Sequence, residues 1–161
     1  MDNYIITIAR SFGSGGKEIA SLLSEKLGIP WYERQILTMA SQASGIDESE
    51  FVEVDERLHG SYLIKSLTKL PTANVLRPES SDYGSDVNLY NIQAEIIKEL
   101  SHTQSCIIVG KCADYILKEK SNVFSVFGDA YYDECVSKIR SRIYVSDERA
   151  KDMKKRTDKY R

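Results

Sequence analysis

Residues 13–16 read Gly-Ser-Gly-Gly, and their setting limits what the chain can become. Before them stands Tyr4-Ile5-Ile6-Thr7-Ile8-Ala9, a β-branched run that predicts a buried strand. After them, Lys17 to Leu27 places Ile19, Ala20, Leu22, Leu23 and Leu27 at helical spacing. Gly28 stands where a helix-terminating glycine belongs, and Pro30 blocks continuation. The chain therefore opens as strand, glycine turn, helix. Glycine admits positive φ and lets backbone approach a ligand closely. Successive N–H groups then converge, and the helix N-terminus adds partial positive charge. This is the physical logic of the phosphate-binding loop G-x-x-x-x-G-K-[ST], whose lysine reaches the terminal phosphates.

Here the register of that pattern is shifted. Setting Gly13-Ser14-Gly15 on its central residues puts Gly16 at the lysine position and Lys17 one place late. Arg10 replaces the first glycine, and, counted from Lys17, Glu18 falls where a Ser or Thr would bind magnesium. The loop predicts phosphate binding; the plainer alternative is a tight turn that caps a helix.

Further along, Glu33 to Ala43 predicts a second helix that stops before Gly45. Residues 47–56 are acidic, with Phe51 and Val54 as anchors of an otherwise solvated face. Leu58 to Leu70 reads as helical, and Pro71 to Asp86 as an exposed loop punctuated by Pro, Gly and Ser. Val87 to Leu100 returns to helical spacing. Ser105 to Gly110 predicts a second buried strand, and Lys111 to Leu117 a short helix. Asn122 to Phe127 predicts a third strand. Tyr131 to Arg142 and Asp147 to Tyr160 follow as helices, the last opened by Ser146 without a full capping box. Strands separated by helices imply a parallel sheet covered on both faces.

The 161 residues form one expected domain, long enough for an ordinary core. Three Cys without a C-x-x-C pair argue against a disulfide framework or zinc ribbon and point to a reducing cytoplasm. The two His, His59 and His102, are far apart, so no dedicated metal cluster is expected. No run approaches about 18 apolar residues, and the N-terminus lacks a basic region followed by an apolar one, which excludes a membrane span and a secretory signal. The net charge of −2 hides a basic segment at 138–161, with ten Lys/Arg against four Asp/Glu. That segment meets phosphates or is a solvated helix face. With aromatic interleaving limited to Tyr144 and Tyr160, a nucleic-acid partner ranks last.

Four stretches resemble the cytidylate kinase-like family of P-loop proteins. They are Ile5 to Gly16, Gly28 to Arg34, Ile107 to Leu117 (with Gly110-Lys111-Cys112-Ala113-Asp114-Tyr115 at its centre), and Thr157 to Arg161. The resemblance implies an α/β, nucleotide kinase-like three-layer sandwich with a parallel sheet. It also implies a small helical acceptor-side lobe at about 44–86, a helical lid at about 138–161, and a further strand and helix after these residues. The implied activity is phosphoryl transfer from ATP, with Mg²⁺, to a nucleoside monophosphate. Gly13, Ser14, Gly15, Gly16, Lys17 and Glu18 would hold donor phosphates, and Arg34, Lys111 and Asp114 the acceptor. Lys111 replaces the family's usual Arg, keeping the charge but losing the bidentate fork. Lys17, Arg142 and Arg161 would act on the transferring phosphoryl, and Asp158 with Arg161 matches an Asp-x-x-Arg spacing of the lid. The displaced lysine and absent hydroxyl support an alternative, a non-catalytic nucleotide or phosphate binder.

From the residues alone, Lys111 reads equally as a solvent-facing lysine, Asp114 as a helix-start carboxylate, and Glu33-Arg34 as a plain exposed pair. Cys112 reads as a small packed residue, and Trp31 with Tyr131-Tyr132 as packing groups.

Overall fold

The β-branched run near the N-terminus becomes the strand on which the sheet is built. The computed structural model describes residues 3–58 and 75–159. Their elements are β1 (Ile5–Arg10), α1 (Gly16–Leu27), β2 (Trp31–Tyr32), α2 (Gln35–Ser44), α3 (Glu48–Leu58), α4 (Asp86–Thr103), β3 (Cys106–Val109), α5 (Ala113–Ile116), β4 (Val123–Gly128), α6 (Tyr132–Ile143) and α7 (Asp147–Asp158). The strands form one parallel sheet in the order β2-β3-β1-β4. In register, Ile5 lies between Cys106 of β3 and Val123 of β4, and Trp31 of β2 pairs with Ile107.

The apolar faces of the helices explain the layers. On one face of the sheet, Ile5, Cys106 and Ile108 pack with Ile36 of α2 and Ile97 and Leu100 of α4. On the other, Ile8, Ile107 and Val109 pack with Ala20 of α1. A separate cluster joins Leu37 and Ala40 of α2, Phe51 and Val54 of α3, and Leu89 and Ile92 of α4. The anchors expected in the acidic stretch are fully buried there. Asn88 is buried among these helices and is satisfied by loop backbone: its amide donates to the Tyr83 carbonyl at 2.7 Å, and its Oδ1 accepts from Leu76 N–H at 2.8 Å.

Several expectations need correction. A fourth strand, β2, lies on the far edge. The second helix starts at Gln35, with Glu33 and Arg34 forming the bend and turn that lead into it from β2. The helix after β3 starts at Ala113, because Gly110, Lys111 and Cys112 all take positive φ (71°, 58° and 52°). The sheet is not covered on both faces throughout: Phe124 and Phe127 of β4 are 64% and 61% exposed. The helix expected over 58–70 runs, beyond Leu58, outside the described residues, as do the start of the 71–86 loop and Arg161.

Gly28 ends α1 in the left-handed region, as the sequence indicates. Gly13 has a stricter duty, with φ +86° and the place of a Cβ only 2.6 Å from the Cys135 carbonyl oxygen of α6. Gly13→Ala therefore meets both backbone strain and a collision, and is expected to destabilise by about 2–4 kcal/mol. Gly45 also has positive φ (+74°), but nothing lies within 4 Å of an added Cβ. Gly45→Ala should thus cost only about 1 kcal/mol from strain. Urea midpoints of the two variants measure the difference.

Candidate active site

A parallel sheet brings the C-terminal ends of its strands to one edge, where open α/β sheets bind ligands. Here each strand end delivers a charged group: Arg10 from β1, Glu33 just after β2, Lys111 just after β3, and Asp129 just after β4.

The glycine loop runs from β1 into α1. Ser14 is buried, its hydroxyl turned inward to the carbonyls of Ser11 (2.9 Å) and Gly128 (3.1 Å). Its side chain therefore fixes the loop, and only backbone remains to face a ligand. The first-turn N–H groups of α1, from Gly16 to Glu18, have no intrahelical acceptor. The ammonium of Lys138 stands 3.4 Å from where a Cβ on Gly15 would be. Glu18 pairs with Arg142, and its Oε2 is buried without a hydrogen bond.

Glu33 is no exposed residue. Its Oε1 accepts from Arg10 Nη2 at 2.7 Å, and its Oε2 lies 2.7 Å from Lys17 Nζ. The stem of Arg10 lies across Gly16, and its guanidinium reaches Gly110, where any Cβ would collide with it. Arg34 points elsewhere, exposed and 3.3 Å from Glu48, whose other oxygen accepts from Thr38.

Lys111 is not a solvent-facing lysine. Its side chain is 8% exposed and forms a 2.5 Å ion pair with Asp55 of α3. Asp114 is exposed in the first turn of α5, as a helix-start carboxylate would be. Cys112 is exposed as a residue, while its sulfur is turned in among protein atoms, as a packed residue's would be. Crowding about its sulfur, then the Asp114 and Asp55 carboxylates, push the thiol up to about 11. Of the aromatic residues, Trp31 packs beside β3, whereas Tyr131 is 83% exposed.

The basic C-terminal helix is docked on the loop through backbone. Asp158 Oδ1 accepts the Phe12 N–H at 2.6 Å, Lys154 Nζ donates to the Phe12 carbonyl at 3.2 Å, and the two side chains pair at 2.7 Å. Lys154 is 6% exposed. Burial pulls its ammonium down, but the Asp158 hydrogen bond and charge outweigh this and leave it above its usual value. Beside this clamp, Ser11 donates to Asp129 Oδ1 at 2.6 Å, which with the Ala130 N–H holds that carboxyl below its usual value. A cleft of about 430 Å³ opens here between Ser11, Asp129, Tyr131, Tyr132, Lys154 and Asp158.

The model of the cytidylate kinase-like family matches residues 5–161.

The chain belongs to the cytidylate kinase-like family.

That membership indicates a nucleotide-kinase type of function. Comparison with curated proteins returns no match. Among solved structures, an uncharacterized protein from Eubacterium ventriosum is 24% identical and has a TM-score of 0.65, covering 98% of this chain and 72% of that one. TT1252 from Thermus thermophilus is 19% identical with a TM-score of 0.50, covering 93% of this chain and 78% of that one. The family match, these likenesses in fold and the parallel sheet together fit a nucleotide-kinase-like fold. No helix among the described residues is long and apolar enough to cross a membrane, and none of their His, Cys, Asp and Glu groups forms a metal cluster of three or more.

The structure thus gathers Gly13 to Glu18, Lys111 and Arg142 at one sheet edge, leaves Arg34 and Asp114 exposed, and does not describe Arg161. Sequence reading passed over the tie of Arg10 to Glu33, the Asp55 partner of Lys111, and the Lys154–Asp158 clamp. The available signals were an arginine at a glycine position and an i,i+4 Lys–Asp pair.

Two outcomes follow. Asp158→Ala strands a buried ammonium and a loop N–H, and should cost about 1–3 kcal/mol, read from urea unfolding. Cys112, with a thiol raised well above neutral pH, stays protonated at pH 8. It should resist iodoacetamide where free glutathione is alkylated, and react as pH climbs toward 11, followed by mass spectrometry.

Proposed function

We propose that this protein transfers a phosphoryl group from ATP to a nucleoside monophosphate. One observation carries the reading: cations from separate elements, Arg10, Lys17 and Lys138, lie about a glycine loop at the C-terminal edge of a parallel sheet, and Lys111 follows the neighbouring strand β3. Phosphoryl transfer asks little covalent chemistry of a protein. It needs two phosphates held in line and charge on the transferring oxygens stabilised.

In this mechanism the loop N–H groups of Gly13, Gly15 and Gly16 and the first turn of α1 face the donor phosphates, with Lys17 beside them, while the Ser14 N–H is kept by the Ser11 carbonyl. Lys111, at the end of β3, holds the acceptor phosphate once Asp55 releases it; the resemblance also assigns to the acceptor Arg34, which would have to leave Glu48, and the exposed Asp114. Arg142, and Arg161 from the lid segment, close over the transferring group. A divalent cation such as Mg²⁺ fits one carboxylate plus substrate phosphates, and Glu18, whose Oε2 lacks a partner, would hold it. Bound there, the ion would neutralise charge on the donor oxygens.

A second reading has a specific observation behind it. Lys17 and Lys111 are both paired with carboxylates, as suits a non-catalytic binder of nucleotide or phosphate. A coupled ADP-release assay with ATP, Mg²⁺ and CMP, dCMP, UMP, AMP or GMP separates the two. Turnover with one acceptor, reduced at least about tenfold by Lys17→Ala, is the expected result. Nucleotide binding without turnover for any acceptor would favour the binder.

A further inference from the structure

The loop carries no side chain at position 16, where the phosphate-loop pattern has its lysine. That space is not empty. An added Cβ on Gly16 would lie 2.8, 3.1 and 3.2 Å from Cγ, Cβ and Cδ of Arg10. The arginine thus enters from the end of β1 and fills the volume that a residue-16 side chain would take. Its guanidinium continues toward Gly110 at the end of β3, a path open only because Gly110 also lacks a side chain.

What the guanidinium meets is an anion. Glu33 offers one oxygen to Arg10 and the other to Lys17, each at 2.7 Å. A carboxylate that meets one cation at each of its oxygens occupies the kind of position a phosphate takes, since guanidinium and ammonium recognise both groups with the same donors. The two contacts differ in weight. Arg10 and Glu33 have side-chain exposures of 15% and 13%, whereas Lys17 is 57% exposed. The Lys17 pair is screened by water and worth little; the Arg10 pair is desolvated and held by packing.

We infer that Arg10 is the phosphate-gripping cation that replaces the missing lysine at position 16, and that Glu33 is an internal anion displaced from it by the polyphosphate of the ligand. This rests on reading the loop as the donor-phosphate site. The ligand class is a polyphosphate chain, as in a nucleoside triphosphate. Lys17 is then an auxiliary contact at the rim, and Glu33 sets the affinity by competing with the ligand for both cations.

Isothermal titration of the full chain with inorganic tripolyphosphate tests this directly. Arg10→Gln should weaken binding at least about tenfold, as expected on removing a charged donor, and by more than Lys17→Ala. Glu33→Gln, which removes the competing charge, should bind more tightly than wild type. Wild-type affinity in Arg10→Gln, or unchanged or weaker binding in Glu33→Gln, overturns the inference. Should Arg10→Gln lose its folded circular-dichroism spectrum, Arg10→Lys keeps charge and stem while removing the fork. It should also lose affinity, and wild-type binding there overturns the inference equally. The ADP-release assay is run on the same preparations. Absence of turnover with Arg10-dependent tripolyphosphate binding overturns the kinase reading and leaves this inference standing. Turnover with Arg10-independent binding does the reverse.

Discussion

Parallel pairing is the constraint on which the site depends. Because β1, β2, β3 and β4 all run the same way, four segments distant in sequence end within reach of one another. The charges that meet there come from positions 10, 33, 111 and 129. Like charges at such range would be costly, and the edge resolves this by alternation: Arg10 with Glu33, Lys111 with Asp55, and Lys154 with Asp158. The glycines at 13, 16 and 110 are the steric counterpart of that arrangement. Each leaves room for a neighbour that a side chain would exclude, whether the α6 backbone or the Arg10 side chain.

The opening of the fold was plain in the residues. Ile5 to Ala9 has no reading but a strand, and three glycines followed by helical spacing have few readings but a loop entering a helix. Trp31–Tyr32 escaped because two residues carry no periodicity; the strand exists only by pairing with Ile107 and Ile108. The exposure of β4 escaped for the opposite reason. Val123-Phe124-Ser125-Val126-Phe127 is as apolar as a buried strand, and its surroundings depend on what packs beside it.

The charged pairs were less legible still. Lys17 could be placed at the loop from sequence, but its partner Glu33 lies across the sheet edge, and nothing local joins them. Lys111 reads as an available cation, yet Asp55 comes to it from a helix 56 residues away. The contact of Arg10 with Gly16 depends on a side chain turning back over its own loop, which no spacing rule encodes. Lys154 and Asp158 are recognisable as an i,i+4 pair, but their common target, the peptide groups of Phe12, is a tertiary fact.

The turn after β3 carries a mechanical implication. Lys111 and Cys112 are L-residues held in a conformation that costs roughly 1–3 kcal/mol each, and the 2.5 Å bond to Asp55 ties this turn to α3. That backbone is held by its own hydrogen bonds, Ala113 N–H to the Gly110 carbonyl at 3.1 Å and Ile116 N–H to the Cys112 carbonyl at 2.9 Å, and needs no help from α3. The ion pair is thus a single peg between a preformed turn and a helix. Parting the two would leave the turn as it is and the Lys111 ammonium bare beside the end of β3.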